Sequence, residues 1–432
     1  MLFAVLALRQ LELALVERPR LEADPRNPRR ADIIAGRGSI LARDGSPLAF
    51  SRGGRRIYPL GNAAAHAIGY ASVRYGTTGL EAAFDRVLEP HRSTGTLAEL
   101  RSLFPGGSAA RGAEIVTTLD VVLQRDLAAA LRRHARAAGI VLDPRSGAVY
   151  AIASTPGFDP NVLDRSTNGL YPPGSTFKIV TAAEALADGV VTPATTFVDT
   201  GGYTVGNFTV RNDQNEVTGT QDLTGAFALS SNVDFAQIAV RLGVERWFAD
   251  AVRWGFGQPL DFDLPAARDQ LPERAEVTPS VLAQLGFGEA SLLVTPLRMA
   301  LVAATIADDG VTPRPYLVRS VAGAETTVAT HPEVLAHPID EATARTVREM
   351  MVAVVRRGTG TAAALPGVTV AGKTGTATNP HGPPHSWFVA FAPAEAPRVV
   401  AAVVVENAGY GAAVAAPIVR DILRVALART RT

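Results

Sequence analysis

Five strand-like segments of the chain fall into two groups that lie far apart in the sequence, and this spacing constrains the fold most. The first group, GIVLDPRSGAVYAIAS, has two apolar runs around a turn at residues 143–147. The second group contains VTVAGKTGTAT, SWFVAFAP and RVVAAVVVE. Helical patterns dominate from Ser175 to about Asp340, with a Gly- and Thr-rich interruption at 200–220, and a last helix follows near Ala413–Ala428. This order predicts an α+β fold with an antiparallel sheet whose first and last strands are distant in sequence.

The composition excludes several classes of protein. The 432 residues include no cysteine, and 47% of them are hydrophobic while 19% are charged. Such a chain can bury a full core, which excludes intrinsic disorder and a disulfide scaffold. The 42 basic and 41 acidic residues leave a net charge of +1, so nothing indicates nucleic-acid binding.

The first 16 residues, MLFAVLALRQLELALV, are apolar apart from Arg9, Gln10 and Glu12. At about 1.5 Å per residue, a helix of this length is too short to cross roughly 30 Å of hydrocarbon. No small-residue cleavage site follows, so a cleaved signal peptide also fits poorly. We therefore expect residues 1–18 to be the end of a membrane anchor that starts upstream, with an ordinary amphipathic helix as the alternative.

A charged stretch then leads into RGSILARDGSPLAFS, where Asp44-Gly45 is typical of a hairpin turn between short strands. This region is expected to form a small domain of mixed α and β structure. The segment from His91 to Gly112 has the composition of a loop or linker. The predicted division is therefore a small N-terminal domain at residues 19–112 and a large domain at residues 113–432.

Only two of the 42 basic residues, Lys178 and Lys373, are lysines, and the other 40 are arginines. An arginine cannot lose its proton in a protein, whereas a lysine can when it is buried or placed beside another cation. A site that uses an amine as a base therefore cannot accept arginine. The two lysines are candidates for chemistry on this ground, although an arginine-rich genome could also have left two lysines by chance.

Ser175 and Lys178 form a Ser-x-x-Lys pattern in YPPGSTFKIVTAAEALADG. Two prolines and a glycine end the extended chain before the serine, so a helix is expected to begin at or just after it. Positions i and i+3 share one face of a helix, which allows the amine to lie one turn from the hydroxyl. A neutral Lys178, with its pKa lowered by burial or by Lys373, could accept the serine proton. The Ser175 N–H at the helix start would also point toward a developing oxyanion.

Ser230-Ser231-Asn232, in TGAFALSSNVDFAQIAV, is expected at a loop or a short break between helices. Its hydroxyl and amide could relay a proton to a leaving group and hold a substrate amide. The alternative is an ordinary helix N-cap. A second Ser-x-Asn pattern at 166–168 is interpreted as a polar turn, because Ser and Asn hydrogen-bond to their own backbone in turns.

The segment Lys373–Thr376 lies in an alternating run typical of a strand, where a glycine would allow close approach of a ligand. Lys373 also belongs to Gly367–Thr374, which fits the G-x-x-x-x-G-K-[ST] pattern of a phosphate-binding loop. The run VVAAVVVE, which ends at Glu406, resembles the strand with a terminal acid that accompanies such a loop. That loop must open a helix at the lysine. Here Gly, Thr, Asn and Pro fill the supposed helix, so a nucleotide-hydrolysing function is disfavoured.

Ser-x-x-Lys, a Ser-x-Asn element and Lys-Thr-Gly together are typical of penicillin-binding proteins and serine β-lactamases. The chain resembles the class B penicillin-binding proteins, the D,D-transpeptidases that cross-link bacterial peptidoglycan, and among them the small actinobacterial penicillin-binding protein A type. The similarity includes RGSILARDGSPLA, YGTTGLEAAFDRVL, VLDPRSGAVYAIASTPGFDPN and SWFVAFAP. The resemblance implies that residues 113–432 form a transpeptidase domain with an antiparallel five-stranded sheet flanked by helices. It also implies that residues 19–112 form a small mixed domain of the pedestal or dimerisation type.

The resemblance also implies roles for individual residues. These are Ser175 as the acylated nucleophile, Lys178 as its base, Ser230 and Asn232 as the middle element, Lys373 as the catalytic cation of the strand, Thr374, Gly375 and Thr376 as substrate-binding residues, and the backbone N–H groups of Ser175 and Thr376 as the oxyanion hole. Two departures from the family matter. The region before the catalytic domain is short for class B, and AQLGFGE from Ala283 replaces the expected polar Gly-Gln-Gly run.

Three functions fit these motifs. The first is a D,D-transpeptidase in the cell membrane with its catalytic domain outside the cytoplasm, a reaction that would also permit D,D-carboxypeptidase activity. The others are a serine β-lactamase and a non-catalytic β-lactam sensor or division scaffold. No E-x-x-L-N pattern for activating water lies between Ser230 and Lys373, which favours the transpeptidase. The implied partners are a D-Ala-D-Ala stem peptide, an amine acceptor, β-lactams and a membrane glycosyltransferase of the elongation or division machinery.

Other catalytic patterns are missing from the sequence. The seven histidines form no H-E-x-x-H, and without cysteine a zinc site has few ligands. Neither G-x-S-x-G nor G-x-G-x-x-G occurs. We therefore expect no metal and no cofactor.

Overall fold

The computed structural model describes residues 36–72, 74–90, 111–157, 163–323 and 327–430, with Arg9 and Ile34. The strands are β1 (Ile40–Leu41), β2 (Pro47–Arg52), β3 (Arg55–Ile57), β4 (Ala71–Ser72), β5 (Gly76–Thr77), β6 (Glu114–Thr117), β7 (Ala137–Leu142), β8 (Val149–Thr155), β9 (Thr196–Asp199), β10 (Tyr203–Val205), β11 (Phe208–Val210), β12 (Gly219–Asp222), β13 (Thr312–Pro313), β14 (Val318–Ala322), β15 (Thr327–Ala329), β16 (Val334–Ala336), β17 (Ala371–Ala377), β18 (His385–Ala392) and β19 (Val399–Val405). The α-helices are α1 (Ala65–Ile68), α2 (Gly79–Ala83), α3 (Asp85–Leu88), α4 (Val121–Leu131), α5 (Lys178–Ala187), α6 (Leu223–Ala228), α7 (Asn232–Leu242), α8 (Val244–Arg253), α9 (Pro279–Leu285), α10 (Pro296–Ala307), α11 (Glu341–Arg357) and α12 (Ala415–Arg429).

Two expectations concern parts of the chain that are largely undescribed. The predicted anchor at residues 1–18, apart from Arg9, lies outside the described residues, and so does most of the predicted linker at 91–112. Within the described part of the chain, no helix has the length and apolar character needed to cross a membrane.

The chain divides into two compact units, and the smaller one contains a mixed sheet. The strand order of this sheet is β15-β14-β6-β1-β2-β3. Strand β1 pairs antiparallel with β2 and parallel with β6. The predicted hairpin turn is present between β1 and β2, where Gly45 adopts a φ of 82° that favours glycine.

A buried ion-pair cluster stabilises the smaller unit. Glu81 is fully buried, and its two carboxylate oxygens lie 2.5 Å from Arg37 Nε and 2.7 Å from Arg56 Nε. Tyr58 also donates a hydrogen bond to this carboxylate, at 3.2 Å. The pair between Glu81 and Arg37 joins the two N-terminal segments that carry the family resemblance, RGSI and Gly-Leu-Glu.

We predict that Glu81→Gln lowers the free energy of unfolding of the smaller unit by about 3–5 kcal/mol, because it removes the charge that faces the buried Arg56 guanidinium and one of the two carboxylates that face Arg37, the other being Asp85. Urea unfolding followed by circular dichroism would measure this change. Glu114→Gln is the control, since Glu114 is an exposed acid in the same unit and its loss should cost less than about 0.5 kcal/mol. Equal effects of the two substitutions would contradict the prediction.

The larger unit is built on an antiparallel sheet of five strands in the order β17-β18-β19-β7-β8. Strand β19 pairs with β7, with Val405 opposite Ala137 and Val400 opposite Leu142. Strands from distant parts of the sequence are therefore neighbours. This confirms the predicted α+β fold and its five-stranded sheet.

Helices pack on both faces of this sheet, which explains why its strands are apolar at consecutive positions. Every residue of β7, β8 and β19 is buried. On one face, α4 and α12 pack through Leu127 and Leu423 against Val141 and Val403. The alternate strand residues point to the opposite face. The central helix α10, which is buried along its whole length, contacts β7, β18 and β19.

Two element boundaries differ from the sequence prediction. The run VVLQRDLAAALRRHARAAG has an apolar helical face and predicts a helix at 121–139. Helix α4 instead ends at Leu131, because the chain from Ala137 is hydrogen-bonded into the sheet as β7. Strand β17 begins at Ala371 rather than at Val368, because Val368 closes a small turn with Leu365.

Candidate active site

Ser175 lies in a one-turn 3-10 helix, Gly174–Phe177, that continues directly into α5 at Lys178. Residues i and i+3 of a 3-10 turn lie one above the other, so the serine and the lysine share one face. Phe177 anchors the turn in the core, where its ring centroid is 5.4 Å from that of Phe256. The nucleophile candidate therefore lies on a rigid support and is itself half-buried.

Two close approaches of the backbone hold the serine turn, and both require glycine. The Gly174 N–H donates to the Gly288 carbonyl at 2.9 Å. A Cβ added to Gly288 would lie 2.1 Å from the Gly174 carbonyl oxygen, and one added to Gly174 would lie 3.0 Å from the Thr376 carbonyl oxygen. The Ser175 turn is therefore packed between the Gly286–Glu289 segment and strand β17.

Lys178 begins α5 and is fully buried. Its Nζ donates to the Ser230 carbonyl at 2.6 Å and to Asn232 Oδ1 at 2.8 Å. Burial, and secondly the charge of Lys373, hold the pKa of this amine well below its ordinary value. Lys178 therefore loses its proton more readily than an exposed lysine does.

Ser230 adopts a φ of 63°, which is uncommon for a residue other than glycine and is found at functional sites. It lies between α6 and α7, as the sequence predicts, and Ser231 is the N-cap of α7. Lys373 Nζ donates to Ser230 Oγ at 2.8 Å, and Lys178 Nζ lies 3.3 Å from the same oxygen. The hydroxyl of Ser230 therefore connects the two lysines.

Lys373 lies in the middle of β17 and is fully buried, and burial lowers its pKa to about 7. Strand β17 is at the edge of the sheet. A Cβ on Gly375 would lie 2.9 Å from Thr176 Cγ2, so this glycine allows the strand to approach the serine turn. Thr374 Oγ1 hydrogen-bonds to Thr359 Oγ1 at 2.6 Å.

Hydrogen bonds thus link Lys178, Ser230, Asn232 and Lys373, and backbone packing places Thr376 against the turn that carries Ser175. Among the described residues, no hydrogen bond joins Ser175 Oγ to Lys178. Catalytic hydrogen bonds are often long in an unliganded enzyme and shorten when substrate binds.

Two further sequence patterns, the second Ser-x-Asn at 166–168 and the phosphate-loop pattern at 367–374, lie in parts of the chain that the structure describes. Ser166 and Asn168 form a turn, in which the serine donates to the Ala153 carbonyl at 2.8 Å and the asparagine donates to the Pro265 carbonyl at 3.1 Å. The phosphate-loop pattern does not form that loop, because Lys373 is inside a strand and no helix begins there.

Sequence reasoning missed three residues around the lysines. Asp234 is a buried carboxyl in the first turn of α7, and burial is the main cause that raises its pKa to about 6. The ring of Phe287 lies 6.0 Å from Lys178 Nζ. Glu289 accepts a hydrogen bond from Thr378 N at 3.0 Å, which ties the Gly286–Glu289 segment to the end of β17. The sequence signal for Phe287 and Glu289 was that AQLGFGE from Ala283 stands where the family has a polar Gly-Gln-Gly run.

Comparisons with known proteins agree with this site. Residues 137–424 match the family described as penicillin binding protein transpeptidase domain, and residues 37–115 match the penicillin binding protein A dimerisation domain. The peptidoglycan D,D-transpeptidase PbpA of Mycolicibacterium smegmatis is 34% identical over 472 residues, covering 94% of this chain and 92% of that protein.

Solved structures are similar over most of the chain. The D,D-transpeptidase domain of a peptidoglycan glycosyltransferase from Eggerthella lenta is 35% identical, with a TM-score of 0.82, and covers 92% of this chain and 99% of that one. The imipenem acyl-enzyme complex of penicillin-binding protein A from M. tuberculosis is 31% identical, with a TM-score of 0.82 and coverage of 92% and 99%.

The fold and the arrangement of serine and lysine side chains define a serine-type acyltransferase. The chain belongs to the penicillin-binding protein transpeptidase family, and it is a D,D-transpeptidase of the penicillin-binding protein A type. The resemblance inferred from the sequence motifs is confirmed.

Proposed function

We propose that the chain cross-links peptidoglycan through an acyl-enzyme on Ser175. The donor is a stem peptide that ends in D-Ala-D-Ala, and the acceptor is an amine of a second stem peptide. Relatives named peptidoglycan D,D-transpeptidases support this substrate class. The observation that carries the proposal is the buried pair of lysines that share Ser230 Oγ beside the serine turn.

In the acylation step, neutral Lys178 accepts the proton of Ser175 Oγ, and this oxygen attacks the carbonyl carbon of the penultimate D-Ala. The backbone N–H groups of Ser175 and Thr376 stabilise the negative charge that develops on the carbonyl oxygen. The peptide C–N bond then breaks, and the proton passes through the Ser230 hydroxyl to the leaving amine of the terminal D-Ala. The acceptor amine next attacks the ester, which restores the Ser175 hydroxyl.

Strand β17 supplies the binding surface in this proposal. Its position at the edge of the sheet would allow an extended donor peptide to add as a further strand, with main-chain hydrogen bonds at Thr374 and Thr376. Protonated Lys373 provides positive potential for the terminal carboxylate of the donor. The same charge keeps Lys178 deprotonated.

We predict that a labelled penicillin acylates Ser175 and that the adduct persists for many minutes. Intact-mass spectrometry followed by peptide mapping would identify the modified residue, and Ser175→Ala should remain unlabelled. Rapid release of penicilloate would instead support a β-lactamase. A folded wild-type chain that is not labelled would support a non-catalytic sensor or scaffold.

The cellular setting and the domain division belong to the same proposal. Most of residues 113–432 would form the transpeptidase domain outside the cytoplasmic membrane, and residues 19–112 would form a separate N-terminal domain to which β6, β14 and β15 also belong. A membrane glycosyltransferase would supply the glycan strands. A membrane-impermeant labelled penicillin added to intact cells tests the location, because it should label the protein without cell lysis. Labelling that requires lysis would contradict it.

A further inference from the structure

A small β insert lies between α5 and α6 and includes the pairs β9–β12 and β10–β11. Most of its side chains are exposed or half-buried, but Asp199 is 1% exposed and Asn212 is 9% exposed. Buried polar groups cost free energy unless they are hydrogen-bonded. The hydrogen-bond partners of Asp199 and Asn212 therefore show which parts of the chain these two residues hold in place. Neither residue belongs to the three sequence motifs.

The Asp199 carboxylate fixes the orientation of Asn212. Its Oδ1 accepts from Gly201 N at 2.8 Å, and its Oδ2 accepts from Thr218 N at 2.8 Å and from Asn212 Nδ2 at 2.7 Å. Burial alone would raise its pKa, but hydrogen bonds from Thr218 and Gly201 lower it. An ionised carboxylate only accepts hydrogen bonds, so Asn212 must turn its NH2 group toward Asp199 and its carbonyl away.

That carbonyl of Asn212 caps the helix that carries the middle motif. Its Oδ1 accepts from Asn232 N at 2.7 Å and from Val233 N at 3.1 Å, and Ser231 Oγ lies 3.3 Å away. The first N–H groups of a helix have no partner inside the helix. Asn212 therefore holds the start of α7, where Asn232 is the first residue.

The neighbouring residue holds the side chain of Asn232. The Arg211 carbonyl accepts a hydrogen bond from Asn232 Nδ2 at 3.3 Å, so the Oδ1 end of this amide faces Lys178 Nζ at 2.8 Å. A neutral amine has two N–H groups and one lone pair. Lys178 can direct its N–H groups at Asn232 Oδ1 and the Ser230 carbonyl, which leaves the lone pair for the proton of Ser175.

We infer that Asp199 and Asn212 are positioning residues for acylation. They hold the start of α7, from which the Asn232 amide reaches Lys178, and they fix the chain next to Arg211, whose carbonyl sets which end of that amide faces the amine. If the amide were reversed, its NH2 group would donate to the lone pair of Lys178 and block the base. This inference rests on the proposed role of Lys178. It predicts that the insert controls the reactivity of Ser175 without touching the reacting atoms.

Asn212→Ala tests the inference, since it removes the acceptor for the α7 N–H groups. We expect the limiting rate of penicillin acylation to fall by about 10 to 10²-fold, with little change in the concentration for half-saturation, because small misplacements of catalytic groups slow the chemical step. Asp213→Asn, at the adjacent exposed position, is the control and should stay within about twofold of wild type. An unchanged rate for folded Asn212→Ala would overturn the inference.

Asn212→Asp gives a second readout, the pH dependence of the acylation rate at pH values where thermal melts show that the variant is folded. A carboxyl at this position keeps the acceptor but lies beside Asp199, and the like charge should raise its pKa. When protonated it can donate to Asp199 as the native amide does. The acylation rate relative to wild type should therefore rise as the pH falls, and a ratio independent of pH would overturn the inference even if Asn212→Ala does not fold.

The same experiment separates this inference from the proposed function. If wild type is not labelled at Ser175, the proposed function fails. If wild type is labelled and both Asn212 variants acylate at the wild-type rate at every pH, only the positioning role fails.

Discussion

Lys178→Arg is expected to lower the second-order rate of Ser175 acylation by about 10² or more while the fold survives. The substitution keeps a similar length, but it replaces a neutral amine by a guanidinium that stays charged and cannot accept the serine proton near neutral pH. The native amine is suited to this task, because burial and the charge of Lys373 hold its pKa well below the ordinary value. As the pH falls through that pKa, the amine gains a proton and wild-type acylation should be lost.

Second-order rates with a chromogenic β-lactam would measure the effect, and thermal melts would show whether the variant folds. Lys373→Arg is the matched control, since it makes the same change at the other buried lysine. The control should be milder, because a guanidinium can still provide positive potential. Equal losses in the two variants, or a harmless Lys178→Arg, would mean that another group is the base.

Much of the architecture is predictable from local patterns. The strands of the five-stranded sheet contain consecutive apolar residues because helices pack on both faces of it. The rarity of lysine identified Lys178 and Lys373, and the structure brings them to one hydroxyl, Ser230 Oγ. The catalytic roles of these residues stay predictions.

The surroundings of the lysines were not predictable in the same way. Asp234 and Asn212 lie in segments whose pattern indicates only a helix and a turn. Their importance depends on contacts between residues far apart in sequence, such as the 2.7 Å bond from Asn232 N to Asn212 Oδ1. A local pattern carries no information about such contacts. The end of α4 at Leu131 has a similar cause, since sheet pairing competes there with helix propensity.

The second lysine leads to a prediction about pH. Lys373 has a pKa of about 7 because it is fully buried, so it is protonated below that pH and neutral above it. Loss of this charge weakens binding of the substrate carboxylate, whereas Lys178 stays deprotonated as the pH rises. The wild-type second-order rate should therefore fall by about tenfold per pH unit on the alkaline side.

Lys373→Arg should remove this alkaline decline, because arginine stays charged throughout the range. Its rate should begin below that of wild type, since a larger group must fit a fully buried position, but the ratio of variant to wild type should rise by about 10² between pH 7 and pH 9. Second-order rates report the ionisation of the free enzyme, so the midpoint belongs to the unliganded site. Rate profiles from pH 5 to pH 10, with melts at each end, would measure this. A variant that keeps the wild-type alkaline decline would show that a group other than Lys373 titrates there, and that the strand lysine does not supply the cation for the substrate.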